Sequence, residues 1–216
     1  MKQAAWLVVA ALVSGAPAQA QEGASIRAPD LSLDLARQPA QPEEPAKEIP
    51  AKPPPPPAFG AASSKWWTVG GGVASNFADA TDVDLRFAYS HFLVKDVEFG
   101  AEMNLWYFHQ DGPDAAGFNP AMVFRWHFYD DGKWTLFGDV GIGLLLASDD
   151  VPVGGTAFDF TPRVGVGFTR ELDPETRTRL QVGLRWHHIS NARLSGAADN
   201  PSRDGVMLYA ALQFPF

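Results

Sequence analysis

Three residues near the C-terminus have the side-chain types and spacing of a hydrolytic relay: His188, Ser190 and Asp204. A histidine beside a serine takes the hydroxyl proton, and a carboxylate on the other ring nitrogen orients the imidazole and stabilises its protonated form. His188 and Ser190 are two positions apart, so in a strand they share one face, ~6.6–7 Å apart along the backbone. The spacing therefore predicts a serine nucleophile with a histidine base.

The strand face that would carry these residues is otherwise apolar. His188 and Ser190 end segment 176–190, and Asp204 begins segment 204–216. The apolar residues of the same parity are Leu180, Val182, Leu184, Trp186, Val206, Leu208, Ala210, Leu212, Phe214 and Phe216. Polar groups in apolar surroundings are costly when unpaired. A lone histidine there would be an ordinary interfacial residue, but the three together favour a site for a lipid substrate.

Segments of alternating polarity occupy the chain from Lys65 onward, and we count eight. They are 66–77, 82–93, 96–109, 117–129, 133–147, 156–171, 176–190 and 204–216. Each is near or above the ~9–11 residues that a tilted strand needs to cross a bilayer. The pattern predicts an all-β fold, an eight-stranded antiparallel transmembrane β-barrel of the outer-membrane type.

The polar face of these segments carries charges of both signs, together with glycines. The charged residues are Arg86, Glu98, Glu102, Arg125, Asp139, Asp159, Arg163, Arg179 and Arg185. Such a face suits the cramped interior of a small barrel, where opposite charges pair. The apolar face has aromatic residues near segment ends, as an interfacial girdle would: Trp67, Tyr107, Trp126, Trp134 and Trp186. A soluble lipocalin-like barrel is the alternative for this pattern.

The connectors between segments alternate in length. The second, fourth and sixth are tight, at 94–96, 130–132 and 172–175, whereas the third, fifth and seventh are longer, at 110–116, 148–155 and 191–203. Outer-membrane barrels have short periplasmic turns and long external loops. An even strand count then predicts that the chain enters and leaves the barrel on the short-turn side, with both termini in the periplasm.

The region before the barrel divides into two parts. Residues 1–20 have a positive start, a short apolar run and Ala18-Gln19-Ala20, which predict a secretory signal peptide. Residues 21–64 contain many prolines, including Pro53 to Pro57, and predict a disordered linker that tethers the barrel. Residues 65–216 form the predicted barrel domain, ending on Phe216, and the protein is expected in the outer membrane.

Composition excludes several classes of function. A net charge of −8 gives no electrostatic footprint for nucleic acid. The chain has no cysteine, so no disulfide supports an exported fold. The five histidines show no sharp ligand spacing, so neither a metal nor another cofactor is predicted.

The stretch His188-x-Ser190-Asn191-Ala192, followed by Asn200-Pro201 and an acidic residue, resembles the PagL-type lipid A 3-O-deacylases. That resemblance implies an eight-stranded outer-membrane barrel that hydrolyses the ester-linked acyl chain at the 3-position of lipid A. It implies His188 as base, Ser190 as nucleophile and Asn191 in the oxyanion hole, with Asn200 in substrate binding.

The acid of the relay departs from the family pattern. Asp204 stands at the position of the family's glutamate, one methylene shorter, and the loop before it is longer than the family's. Asp199, inside that loop, is the alternative acid. The resemblance implies lipopolysaccharide as substrate and outer-membrane lipids as surroundings, and it leaves the oligomeric state open, a homodimer included.

A second function remains open at this stage. A small barrel of the OmpA or OmpX kind serves as an anchor or adhesion scaffold without catalysis, and a proline-rich tether suits it. The two hypotheses differ in whether Ser190 performs chemistry.

Overall fold

The structure, a computed structural model, describes residues 54–76, 80–197 and 200–216. The predicted signal peptide and most of the predicted linker lie outside these residues. The strands are β1 (Lys65–Ser75), β2 (Thr81–Val94), β3 (Val97–His109), β4 (Ala115–Asp130), β5 (Trp134–Ala147), β6 (Phe158–Phe160), β7 (Arg163–Glu171), β8 (Arg179–Ile189) and β9 (Arg203–Pro215). In the described part of the chain, no helix has the length and apolarity needed to cross a membrane.

The strands close into one antiparallel barrel. Consecutive strands pair from β1 to β6 and from β7 to β9, β7 pairs with β5, and β1 pairs with β9 to close the barrel. The short β6 and the longer β7 both pair with β5, so together they occupy one strand position in the barrel wall. The barrel wall therefore has eight strand positions, which confirms the predicted eight-stranded architecture.

The sixth strand position, formed by β6 and β7, is interrupted at Thr161-Pro162. Proline has no backbone N–H to give to the ladder, so β6 ends before it and β7 begins after it. Thr161 still exchanges backbone hydrogen bonds with Gly143 of β5, at 2.9 and 3.3 Å. The predicted continuous strand 156–171 is wrong in this detail, because the ladder is not regular through Pro162.

The sixth connector is longer than the sequence predicted, since β8 begins at Arg179 and not at residue 176. The carboxylate of Asp173 accepts hydrogen bonds from the Glu175 N–H and the Thr176 hydroxyl, both at 2.8 Å. Arg177 has a φ of 59°, which a strand residue does not adopt. These local bonds hold residues 172–178 in a turn.

The charged face predicted from the sequence lines the barrel interior. The nine charged residues named above are all buried, none more than 6% exposed. Their oppositely charged groups pair across the lumen: Glu102 lies 3.2 Å from Arg163 and 3.3 Å from Arg185, and Asp139 lies 2.8 Å from Arg185. These ion pairs pack the lumen with side chains.

The outer wall is apolar and rich in aromatic rings. Trp67, Tyr107, Trp126, Trp134 and Trp186 all point outward, with exposed fractions of 36–62%. Together with outward Val, Leu, Ile and Phe side chains they form a continuous apolar surface, as in proteins whose outer wall faces lipid. This confirms the assignment of the two faces.

Glycines allow close approach where the barrel wall is tight. A Cβ on Gly70 would lie 2.3 Å from the Ala210 carbonyl oxygen on β9, and one on Gly183 would lie 2.5 Å from the Tyr209 ring. Only glycine fits at these positions, which explains why β1 is rich in glycine yet forms a regular strand.

One end of the barrel carries connectors 95–96, 131–133 and 172–178, together with both ends of the barrel chain. We call this the turn end. The other end carries connectors 76–80, 110–114, 148–157 and 190–202, and we call it the loop end. The predicted alternation in length holds for the second to fifth connectors, but the sixth, 172–178, is longer than the third, 110–114. His188, Ser190 and Asp204 lie at the loop end.

Residues 58–64 fold across the turn end of the barrel. Phe59 packs edge-on against Trp66, Phe92 and His127 at 4.9–5.0 Å, and the Arg179 guanidinium lies 4.3 Å from its ring centroid. The Asp96 N–H donates to the Gly60 carbonyl at 2.9 Å. The predicted disordered linker thus extends too far at its C-terminal side: these residues are part of the barrel domain because Phe59 covers its turn end.

Candidate active site

Strand β8 brings His188 to the loop end, and β9 starts directly opposite it. In the register between these strands, His188 faces Asp204 and Ile189 faces Arg203. Ser190 follows the last residue of β8 and forms an isolated bridge with Phe160 of β6. Two backbone hydrogen bonds make this bridge, from the Phe160 N–H at 2.8 Å and from the Ser190 N–H at 3.2 Å. Ser190 is therefore held in place by β6, on the side away from Asp204.

The three side chains form one continuous hydrogen-bonded relay. His188 Nε2 lies 2.9 Å from Ser190 Oγ, and His188 Nδ1 lies 3.0 Å from Asp204 Oδ1. The tautomer that satisfies both contacts carries its proton on Nδ1, which donates to Asp204, and accepts the serine hydroxyl proton on Nε2. This is the arrangement in which a histidine deprotonates a serine nucleophile.

The relay lies on the outside of the barrel wall. The side chain of His188 is 26% exposed and that of Asp204 is 50% exposed, whereas the flanking His187, Ile189 and Arg203 are buried toward the interior. Ser190 itself is only 8% exposed. The geometry agrees with the parity argument from the sequence, which placed the three residues together on the apolar face.

His187 points into the interior, as its parity predicts. Its Nε2 lies 3.9 Å from the Asp82 carboxylate, and its ring packs against Trp106 at 5.3 Å. It takes no part in the relay of its neighbour.

A buried ion pair anchors the start of β9 beneath the relay. The Arg203 guanidinium donates to both carboxylate oxygens of Asp82, to Gln110 Oε1 at 3.4 Å and to the His109 carbonyl at 3.1 Å. Because Arg203 is held inward by these bonds, the next residue, Asp204, points outward to His188. The sequence analysis did not anticipate this anchor, although its signal is present as an inward arginine beside an outward acid.

Asn191 opens a tight turn immediately after Ser190. Its Oδ1 accepts a hydrogen bond from the Arg193 N–H at 2.8 Å, and its carbonyl accepts one from the Leu194 N–H at 3.0 Å. Ala192 and Arg193 have φ values of 53° and 65°, so the chain reverses here. These bonds hold Asn191, for which the family resemblance implies an oxyanion role, at the start of the turn that follows Ser190.

The remaining predicted site residues are not joined to the relay by described contacts. Asn200 is half-buried, and its described neighbours provide no hydrogen-bond partner for its Oδ1. Asp199, the alternative acid, lies outside the described residues. In the described geometry Asp204 is the carboxylate that contacts His188, and its second oxygen lies 3.5 Å from the Ser202 hydroxyl. In the described ranges, no three His, Asp or Glu side chains converge as metal ligands.

A barrel of this size with an apolar outer wall belongs to the class of small outer-membrane β-barrels. The structure is similar to the crystal structure of neisserial surface protein A (NspA), with 16% identity, a TM-score of 0.51, and 71% of this chain and 96% of that chain covered. At this identity the likeness concerns the fold alone.

The family is defined by sequence. The family model for lipid A 3-O-deacylase (PagL) matches residues 80–213, and the chain belongs to that family. The crystal structure of the outer membrane enzyme PagL is 19% identical, with a TM-score of 0.46 over 70% of this chain and 99% of that chain. The outer membrane protein OprG from Pseudomonas aeruginosa is 10% identical, with a TM-score of 0.42 over 72% and 98%. A comparison with curated protein sequences gives no significant match.

Proposed function

We propose that this protein is an outer-membrane serine esterase that removes the ester-linked acyl chain at the 3-position of lipid A. The observation that carries the proposal is the unbroken relay from Asp204 through His188 to Ser190 on the outer wall. Membership of the lipid A 3-O-deacylase family supplies the substrate class. A wall position suits a substrate that stays in the membrane, because its ester reaches the serine without leaving the lipid layer.

In the proposed reaction, Ser190 Oγ attacks the carbonyl carbon of the ester while His188 Nε2 takes the hydroxyl proton. The tetrahedral intermediate breaks its bond to the sugar oxygen, and the imidazolium returns the proton to that oxygen, which leaves as the 3-hydroxyl. Water, deprotonated by His188, then attacks the acyl-serine and releases the fatty acid. Asp204 holds the ring and stabilises its charge in both steps.

The negative charge that develops on the carbonyl oxygen needs donors placed in advance. Asn191 is proposed to supply one, because it directly follows Ser190 and its side chain is held by the Arg193 N–H. Removal of one such donor typically lowers kcat by about 10²–10³. Asn200 is proposed to contact the substrate near the loop end.

We also propose an orientation for the barrel. A site at the loop end meets lipid A when the loop end is extracellular, which leaves the turn end and both termini of the barrel chain in the periplasm. The protein then acts on lipopolysaccharide in its own leaflet, surrounded by outer-membrane lipids, without nucleic acid, metal or cofactor.

The test compares lipid A from cells that express the wild type, Ser190→Ala or Ser195→Ala. Ser195 is an exposed serine of the same loop that takes no part in the relay, so it controls for expression and loop changes. Mass spectrometry is expected to show loss of one 3-linked acyl chain with the wild type and Ser195→Ala, and intact lipid A with Ser190→Ala. Intact lipid A with all three variants would contradict the proposal and favour the non-enzymatic anchor.

A further inference from the structure

The imidazole of His188 has a neighbour that the relay does not use. Trp186, two residues earlier on the same face of β8, lies with its ring centroid 5.9 Å from that of His188 and an interplanar angle of 28°. Outward residues of one strand alternate, so the column from the middle of the wall to the loop end is Trp186, His188, Ser190. The tryptophan therefore covers the side of the imidazole that faces away from the serine.

Among the described residues, one charged group faces the other sides of the imidazole. On β9 its neighbour is Asp204, and Val206 faces Trp186. On the opposite side, the Pro162 carbonyl accepts from the His188 N–H at 3.0 Å, and Val164 faces Trp186. His187 points into the lumen, and Arg193 in the following loop is exposed. In the described part of the chain, the groups around the protonated ring besides Asp204 and the Ser190 hydroxyl are thus apolar and aromatic side chains.

We propose that Trp186 is a positioning residue, which holds the His188 ring in the plane of the relay and stabilises its protonated form through the indole face. The proposal rests on the proposed esterase function and adds a residue to it. The indole face attracts a cation within about 6 Å of its centroid. His188 becomes cationic each time it takes the serine proton, so the attraction grows as the reaction proceeds and lowers the barrier.

The effect of Trp186 is expected on kcat and not on KM. The indole lies beside the imidazole and not beside the serine, so its loss weakens the step in which His188 becomes cationic and leaves substrate binding unchanged.

The test uses the purified full chain in detergent micelles with a p-nitrophenyl fatty-acid ester as probe. Trp186→Leu keeps an apolar side chain on the outer wall, and Trp186→Phe keeps an aromatic face. Trp126→Leu is the matched control, since Trp126 is an outward tryptophan of β4 at the turn end of the barrel. Ser190→Ala reports whether the hydrolysis depends on the relay at all.

Trp186→Leu is expected to lower kcat about two- to fivefold with little change in KM. Trp186→Phe is expected to recover part of the lost kcat, and Trp126→Leu is expected to leave both kcat and KM unchanged.

Two results would overturn the assignment. One is that Trp186→Leu has the same kcat as Trp126→Leu. The other is a change in KM alone, because that would make Trp186 a lipid contact with no effect on the base. Full hydrolysis by Ser190→Ala is a different outcome, since it rejects the proposed function itself.

Discussion

Asp204 is the residue at which this chain departs most informatively from its family pattern. An aspartate reaches the imidazole at 3.0 Å because β9 begins directly opposite His188. A strand pairing that places the two Cα atoms face to face leaves only a short gap for the side chain to cross. The shorter acid therefore completes the relay without rearrangement of the wall.

Substitution of Asp204 tests its proposed role. Asp204→Asn removes the carboxylate that fixes the Nδ1 tautomer and is expected to lower kcat about 10³-fold or more. Asp204→Glu is expected to stay within about tenfold of the wild type, because the half-exposed side chain leaves room for one methylene. Asp149→Asn, at an exposed acid of the 148–157 loop, is the control. Kinetics on a chromogenic ester measure all three, and equal activity of the Asn and Glu variants would contradict the role.

Strand parity predicted much of the site geometry. Alternation alone places His188, Ser190 and Asp204 on one face, and adjacency of the last two strands brings them together. Parity does not predict that Phe160 bridges Ser190. That contact depends on the register of β6, which ends before Pro162. Parity leaves both Asp204 and Asp199 open as the acid. The β8–β9 register, which hydrophobic pattern does not give, places Asp204 opposite His188, and Asp199 lies outside the described residues.

At the scale of elements, β9 depends on an ion pair that lies inside the barrel while its site faces outward. Arg203 and Asp82 are both buried, and the pair joins β9 to β2 through the lumen. One residue along, the chain presents Asp204 to the outside. The interior ion pair between Arg203 and Asp82 therefore helps to fix the position of Asp204 in the relay.

Breaking this pair is expected to cost stability as well as activity. Arg203→Met leaves the Asp82 carboxylate buried without its cation, which typically costs about 3–5 kcal/mol. The double variant Asp82→Asn with Arg203→Met is expected to recover most of that loss, since neither charge remains. Urea unfolding in detergent measures the free energies, with Arg193→Met at an exposed loop arginine as control.

The expected order is wild type, double variant, single variant, in falling stability. A single variant within about 1 kcal/mol of the wild type would show that the pair does not anchor β9. Apart from the break at Thr161-Pro162, the strand boundaries were predicted to within about two residues, except at residue 176, since β8 begins at Arg179. There the hydrogen bonds of Asp173 form a turn, and alternation of polarity does not record them.

For the whole molecule, the main consequence of the packing is a lumen without a passage. The space between Arg86, Glu102 and Arg125 has a volume of about 10 Å³, room for one water at most. The single carboxylate of Glu102 lies within 4.0 Å of three guanidinium groups, those of Arg86, Arg163 and Arg185. The closed interior distinguishes this barrel from larger barrels that enclose a channel.

The packed lumen predicts that the protein forms no ion channel. Reconstituted in a planar bilayer, the wild type is expected to give no unitary conductance steps, because ion pairs occupy the path between the two ends. Discrete steps that depend on protein insertion would contradict this picture of the interior. Detergent alone provides the baseline in the same cell.

The relay on the outer wall has a further consequence for how the proposed reaction is supplied. Substrate arrives by diffusion in two dimensions, and the released fatty acid departs into the same sheet of lipid. Turnover therefore follows the mole fraction of acylated lipid around the barrel, not its total amount in the sample. Dilution of that lipid with inert amphiphile slows the enzyme even when every molecule of substrate remains in the tube.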